Sequence, residues 1–261
     1  MTDAKKYTSR LAGQRVLIIG GSSGIGFGIA EGAIEEGAEV IISSSNAEKL
    51  QKSIDRLETS YPSVKGKVQG YTCDLSSTTN ATNEVANLFS KVGTIDHVVY
   101  TAGDPLVVRS LEDWKLEDIQ QTGMVRFFGP ILVGQQLKKY LRGGPNSSYT
   151  LTSGNVAERP HDGWLITNGY MTGVYGLMRS FALELAPIRT NVVSPGGVET
   201  ELWEPMKKSG NFEGFREKLI EGTTTGAIGS VEDVVQAYLY LMKDKNVSGA
   251  VIGTNSGCNL K

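Results

Sequence analysis

Cysteine is almost missing from this 261-residue chain. Cys73 and Cys258 are the only two, neither in a metal-ligand spacing, so a disulfide framework and a cysteine-based metal centre are excluded. A reducing intracellular compartment fits such usage. A basic surplus is missing too: the formal net charge is -2, which gives no reason to expect nucleic acid or an anionic membrane as partner. No run reaches the roughly 18 apolar residues that span a bilayer. The first ten residues are polar and lack the apolar core of a signal peptide, so the cytoplasm is the expected location. Histidine is as scarce as cysteine, at His97 and His161. Lysine is locally absent, with none between Lys139 and Lys207.

Glycine, by contrast, is abundant, at 32 residues, as expected where backbone must approach a ligand closely. Short apolar runs alternate with amphipathic segments throughout. Strands are expected at 15–20, 39–43, 66–72, 95–100, 147–152, 189–193 and 250–253. Helices are expected at 25–36 with Gly37 as its stop, 47–59, 78–91, 116–140 kinked or split by Pro130, 167–185, and 231–243 with Ser230 as N-cap. Such alternation predicts an α/β fold with a doubly wound parallel sheet of about seven strands, in a single domain over 1–261. The long irregular stretch 199–230 would sit near the carboxyl edge of the sheet and act as a substrate lid.

The first strand runs into Gly20-Gly21-Ser22-Ser23-Gly24-Ile25-Gly26. A tight glycine turn between a strand and a helix presents backbone N–H groups to a pyrophosphate, at the positive end of the helix dipole. This G-x-x-x-G-x-G spacing resembles the short-chain dehydrogenase/reductase family, whose Rossmann fold it implies. Other matches extend the resemblance over almost the whole chain. Asp74-Leu75 resembles the pair that meets adenine. Thr101-Ala102-Gly103 is similar to the family's N-N-A-G, with Tyr100-Thr101 replacing the asparagines. Residues 176–187 resemble its central helix. Ser194-Pro195-Gly196-Gly197-Val198-Glu199-Thr200 resembles the nicotinamide loop, which implies carboxamide contacts for Val198 and Thr200. Family members are often dimers or tetramers, so a homo-oligomer is implied.

The end of the second strand tests the cofactor. An acidic residue there would hydrogen-bond the ribose of NAD, but Ser44-Ser45-Asn46 offers only hydroxyls and an amide. Those groups accept a 2′-phosphate that an Asp would repel, so NADP(H) is the expected cofactor.

The resemblance fails at the catalytic constellation. The family uses Asn, Ser, Tyr and Lys; aligned on the central helix, Ser153 matches the serine. Arg126 stands for the asparagine, Thr167 for the tyrosine and Met171 for the lysine. With no lysine in this stretch, a Tyr-x-x-x-Lys pair cannot exist there. Tyr175-x-x-x-Arg179 would demand a slip of two helical turns. A lost general acid costs ~10²–10⁴ in rate, or roughly 3–5 kcal/mol of barrier. An iminium needs only the hydride, because its carbon is already activated. His161, beside Asp162 in the loop 158–164, is the candidate for a recruited acid. Arg126 is the candidate to hold a carbonyl or carboxylate, with a surface salt bridge as its plainer role. Trp164 offers an aromatic wall or a lid anchor. Tyr170 reads as a reserve acid, and Tyr175 and His97 as structural.

The combination T-A-G-D, V-R-F, T-S-G, E-R-P-x-x-G-W and P-I-R-x-N resembles an atypical fungal subgroup of the family that lacks Tyr-x-x-x-Lys. That resemblance implies specialised metabolism, including alkaloid reductases and Diels–Alderases. The expected function is NADPH-dependent hydride transfer to an iminium or carbonyl of a small-molecule substrate. The alternatives are a cofactor-assisted cyclase or isomerase without net redox, and a non-catalytic nucleotide sensor.

Overall fold

Alternation along the first strand decides the layering. Val16 and Ile18 point into one apolar cluster, Leu17 and Ile19 into the other, and all four are buried. The computed structural model describes residues 6–208, 210 and 212–261. Its elements run β1 (Arg15–Ile19), α1 (Gly24–Glu35), β2 (Glu39–Ser44), α2 (Ala47–Ser60), β3 (Gln69–Thr72), α3 (Ala81–Val92) and β4 (His97–Tyr100). Then come α4 (Leu116–Gly123), a π-helical turn (Met124–Phe128), α5 (Gly129–Tyr140), β5 (Ser148–Thr152), α6 (Leu165–Glu184) and β6 (Arg189–Pro195). The chain continues through α7 (Glu204–Lys208), α8 (Phe212–Glu221), α9 (Val231–Lys243) and β7 (Val251–Thr254).

The seven strands form one parallel sheet in the order β3-β2-β1-β4-β5-β6-β7. Helices α1, α2 and α9 contribute to one cluster, and α3, α5 and α6 to the other. The strand order reverses between β1 and β4, where a ligand crevice opens at the carboxyl ends of the strands. The doubly wound Rossmann architecture is therefore as the sequence predicts.

Local signals fall where expected at several ends. α1 stops before Gly37, whose φ of 84° is left-handed. Ser230 caps α9, its Oγ accepting from the Asp233 N–H at 3.1 Å. Two expectations are corrected. The helix 116–140 breaks at Met124–Phe128, before Pro130, which sits in the first turn of α5 where a missing N–H costs nothing. The stretch 199–230 is not irregular, since it holds a 3-10 turn (Glu201–Trp203), α7 and α8.

Two buried polar side chains tie the amino end of the sheet. His97 is fully buried, with Nδ1 2.8 Å from Ser148 Oγ and Nε2 2.7 Å from Gln14 Oε1. Burial first, and then the Arg189 charge, pull its pKa from 6.5 down to about 3. The folded protein thus holds His97 neutral while the unfolded chain protonates below about 6.5. Stability from this group is complete above that pH and declines as pH falls toward 3. Urea unfolding at pH 7, 5 and 4 should show that decline, and a smaller one in His97→Gln. An equal slope in both proteins would reject it.

Arg189, at the start of β6, is 3% exposed. Its Nε donates to the Pro145 carbonyl (2.7 Å), Nη1 to Leu241 (2.6 Å) and Val247 (3.3 Å), and Nη2 to Met242 (3.0 Å). Leu241 and Met242 belong to the last turn of α9, so the guanidinium closes the negative end of that helix.

Candidate active site

At the β1 end, the glycine turn packs with no space to spare. Gly20 has φ +90°, and a Cβ on it would lie 2.5 Å from the Ala102 nitrogen. A Cβ on Gly26 would lie 2.2 Å from the Gly20 carbonyl oxygen and 2.5 Å from Thr101 Oγ1. Thr101 Oγ1 in turn donates to the Ile19 carbonyl at 3.1 Å, so the turns after β1 and β4 form one unit. Ser22, Ser23, Gly24 and Ile25 follow into α1, whose N-cap Ser23 makes no side-chain cap. The Ser23 side chain thus leaves the first-turn amides of α1 to other anionic groups, and the Gly24 N–H donates to Glu201 Oε2 at 2.8 Å.

At the β2 end, Ser22 Oγ donates to Ser44 Oγ at 2.9 Å, and the Asn46 side chain caps α2 by accepting from the Lys49 N–H at 2.8 Å. Ser45 and Asn46 are exposed. The cap turns Lys49 back toward the glycine loop, where its Nζ lies 3.0 Å from Ser23 Oγ. Here is a cation beside the hydroxyls that no arginine in the motif supplied. Its sequence signal was a lysine three residues past an Asn N-cap, one helical turn on. Hydroxyls, an amide and an ammonium fit a 2′-phosphate, and the collision-limited glycine turn fits a pyrophosphate beside backbone amides. At the third strand's end Asp74 is exposed, its Oδ1 accepting from the Ser76 N–H and hydroxyl at 2.9 and 2.7 Å, while Leu75 is buried.

The π turn aims Arg126 into the crevice. Tyr100, from the end of β4, donates its hydroxyl to the Val125 carbonyl, and the Asp104 carboxylate accepts from the Val125 and Arg126 N–H groups at 3.1 and 3.2 Å. Clamped from both sides, the turn lays the Arg126 guanidinium over Gly103, where a Cβ would meet its Nη2 at 2.8 Å. Nη2 donates to the Asp104 carbonyl. The surface salt bridge considered for Arg126 is therefore not what forms. Burial raises the Asp104 carboxyl above its ordinary value and lowers Arg126 below its own, each opposed by the partner's charge. The two together form a compensated pair that still leaves guanidinium N–H groups for a ligand.

Ser153 follows β5 and is buried; its Oγ donates to the Met171 carbonyl at 2.9 Å, with Met171 Sδ 3.9 Å away. Thr167 and Met171, which the resemblance aligns with a proton donor and a cation, are both buried on α6 and bring a hydroxyl and a thioether. His161 is exposed, its ring 5.7 Å from that of Trp164 in an edge-on arrangement. The loop is held by Asn168 Nδ2 donating to the His161 carbonyl (3.2 Å) and by the Arg109 N–H donating to Gly163 (3.0 Å). Tyr170 spends its proton on the Ile119 carbonyl at 3.1 Å, which removes it as a reserve acid. Tyr175 is not plain core: its hydroxyl meets Ser194 Oγ at 2.8 Å and Glu158 Oε1 at 3.1 Å. Nothing in the local pattern of α6 marked that contact.

Pro195 at the end of β6 and Val198 beyond it are buried, and the Gly196 N–H donates to the Thr254 carbonyl at 3.1 Å. Val198 accepts from the Trp203 indole N–H at 2.6 Å. Thr200 caps the turn 201–203. Among the described residues no helix is long and apolar enough to cross a membrane, and no group of three or more His, Cys, Asp or Glu could hold a metal ion.

Known proteins share this fold. The SDR-like Rossmann domain family matches residues 7–261. The short-chain dehydrogenase/reductase fsr5 of Gibberella fujikuroi is 49% identical over 261 residues, covering 98% of both chains. The short-chain dehydrogenase/reductase malC of Malbranchea aurantiaca is 41% identical, with both chains fully covered. The solved MalC reductase/Diels-Alderase from that organism superposes with a TM-score of 0.91 at 42% identity, over 97% of this chain and all of the other. A Burkholderia cenocepacia short-chain dehydrogenase in complex with NADP has a TM-score of 0.82 at 25% identity, over 96% of this chain and 99% of the other. The chain is an oxidoreductase of the short-chain dehydrogenase/reductase family.

Proposed function

We propose that this enzyme is an NADPH-dependent reductase that delivers hydride to an iminium or carbonyl carbon of a specialised metabolite, with alkaloids the first class to test. One observation carries the proposal: Ser153, at the end of β5, meets the Met171 carbonyl and thioether at 2.9 and 3.9 Å, where a lysine would stand in the family's arrangement. A neutral thioether in that place imposes no repulsion on a cationic acceptor, and an iminium that takes up hydride becomes a neutral amine with no proton needed on its nitrogen, whereas a carbonyl needs one on oxygen. The Arg126 charge is offset by Asp104. When bound, the cofactor supplies the hydride. Gly20, Ser22, Ser23, Gly24, Ile25 and Gly26 would hold its pyrophosphate, Ser44, Ser45, Asn46 and Lys49 its 2′-phosphate, and Asp74 and Leu75 its adenine. Thr101, Ala102, Gly103, Pro195, Gly196, Val198 and Thr200 would border the nicotinamide end. Ser153 orients the acceptor, Arg126 holds an oxygen or carboxylate of it, and Trp164 and His161 wall the mouth under a lid at 199–230.

Stopped-flow loss of nicotinamide absorbance on mixing the NADPH-loaded enzyme with cyclic iminium ions and ketones tests this. Iminium reduction is the expected result. No consumption with either class would overturn it. Lys49→Glu should weaken NADPH about 10- to 100-fold, the value of a hydrogen bond between charged groups, and leave NADH within twofold. Equal effects on both cofactors would remove Lys49 from the 2′-phosphate site.

A second reading is a cyclisation without net redox, favoured by the likeness to a reductase/Diels-Alderase at a TM-score of 0.91. It predicts product formation at constant NADPH.

A further inference from the structure

The amino end of α1 is served by a carboxylate from far along the chain. Gly24, the first residue of the helix, donates its N–H to Glu201 Oε2 at 2.8 Å, across 177 positions of sequence. The helix itself provides neither a side-chain cap nor an acidic residue in its first turn. Glu201 is exposed, and the Gly24 N–H at the positive end of the helix dipole is the hydrogen-bond donor it meets among the described residues. Its neighbour Thr200 closes over the same spot, with Cβ and Cγ2 3.3 Å from where a Cβ on Gly24 would be.

We propose that Glu201 is a built-in competitor for the dinucleotide's pyrophosphate: it occupies the anion position of α1 in the cofactor-free enzyme and has to leave before NADP(H) seats. This rests on the NADP(H) reading above. Two anions cannot share one amide at hydrogen-bond distance without strong repulsion. The contact also couples the cofactor site to the lid. Glu201 opens the 3-10 turn that Thr200 caps, and that turn ends in Trp203, whose ring lies 4.9 Å from Phe215 of α8. Withdrawal of Glu201 removes the tie between α1 and the turn that carries Trp203, so cofactor entry frees the substrate side from the helix.

The experiment compares the wild type with Glu201→Gln and Glu201→Ala by titration calorimetry, using NADPH and adenosine 2′-monophosphate. The latter has the 2′-phosphate but no pyrophosphate. NADPH should bind about two- to fivefold more tightly to both variants, the scale of one exposed anion at a helix N-terminus, and adenosine 2′-monophosphate should bind all three proteins alike. In the cofactor-free state, amide exchange at Gly24 should be faster in Glu201→Ala than in the wild type. Unchanged or weaker NADPH binding in the variants would overturn the proposal. So would equal tightening of both ligands, which would mark a general charge effect. If NADPH fails to bind the wild type and the variants alike, the cofactor reading itself falls, a different result from binding that ignores position 201.

Discussion

Gly26→Ala should remove NADPH binding and lower stability by about 3 kcal/mol, at the upper end of overpacking costs. The added methyl would lie 2.2 Å from the Gly20 carbonyl oxygen and 2.5 Å from Thr101 Oγ1. Neither is the free end of a flexible side chain. Relief requires moving α1 away from the turns after β1 and β4, and those turns carry the amides that would face the phosphates. A displacement of even half an ångström degrades several hydrogen bonds together. We expect NADPH affinity to fall more than about 100-fold, from loss of two or more charge-assisted contacts, with Tm lower by about 6–12 °C. Calorimetry with NADPH and a thermal melt check both. A variant that keeps wild-type affinity would show that the turn does not cradle the dinucleotide.

Arg189→Met should cost still more, about 4 kcal/mol or above. The guanidinium serves four carbonyls, and methionine fills the volume while satisfying none of them. Each buried acceptor left without a donor costs about 1–3 kcal/mol. Two of the four belong to the last turn of α9, which also loses its compensating charge. Arg189→Lys keeps the charge but not the planar fork, so it should fall between. Thermal melts should order the proteins wild type, Arg189→Lys, Arg189→Met, with about 8–16 °C between the first and last. A methionine variant within 2 °C of wild type would contradict the assignment.

The layered fold was legible because its signals are local. Runs such as Arg15–Ile19 are short, β-branched and bounded by glycines, and Ser230 and Gly37 mark helix ends by chemistry within one turn. Site features set by distant partners were not legible. The π turn at Met124–Phe128 depends on Tyr100 and Asp104, more than 20 positions earlier, so proline at 130 drew attention to the wrong break. Tyr175 read as core because its helix position is inward, whereas its hydroxyl is claimed by Ser194 on β6 and Glu158 in a loop. Lys49 lies beyond the end of β2, in α2, and only the Asn46 cap brings it back beside Ser23. Glu201 offered no pattern whatever, since a hydrogen bond spanning 177 positions leaves no periodicity. The missing lysine between 139 and 207, by contrast, was visible as plain absence.

The π turn carries an evolutionary corollary. Such a turn is an α-helix holding one surplus residue, and a helix rotates by about 100° per residue. Deleting one codon between Met124 and Phe128 would let α4 and α5 join as regular helix and swing position 126 away from Gly103, while Tyr100 and Asp104 would lose the backbone groups they grip. In this scaffold, then, chain length at the helix break governs which side chain lies over Gly103, and lineages can exchange that group by an insertion or deletion as readily as by replacing an amino acid.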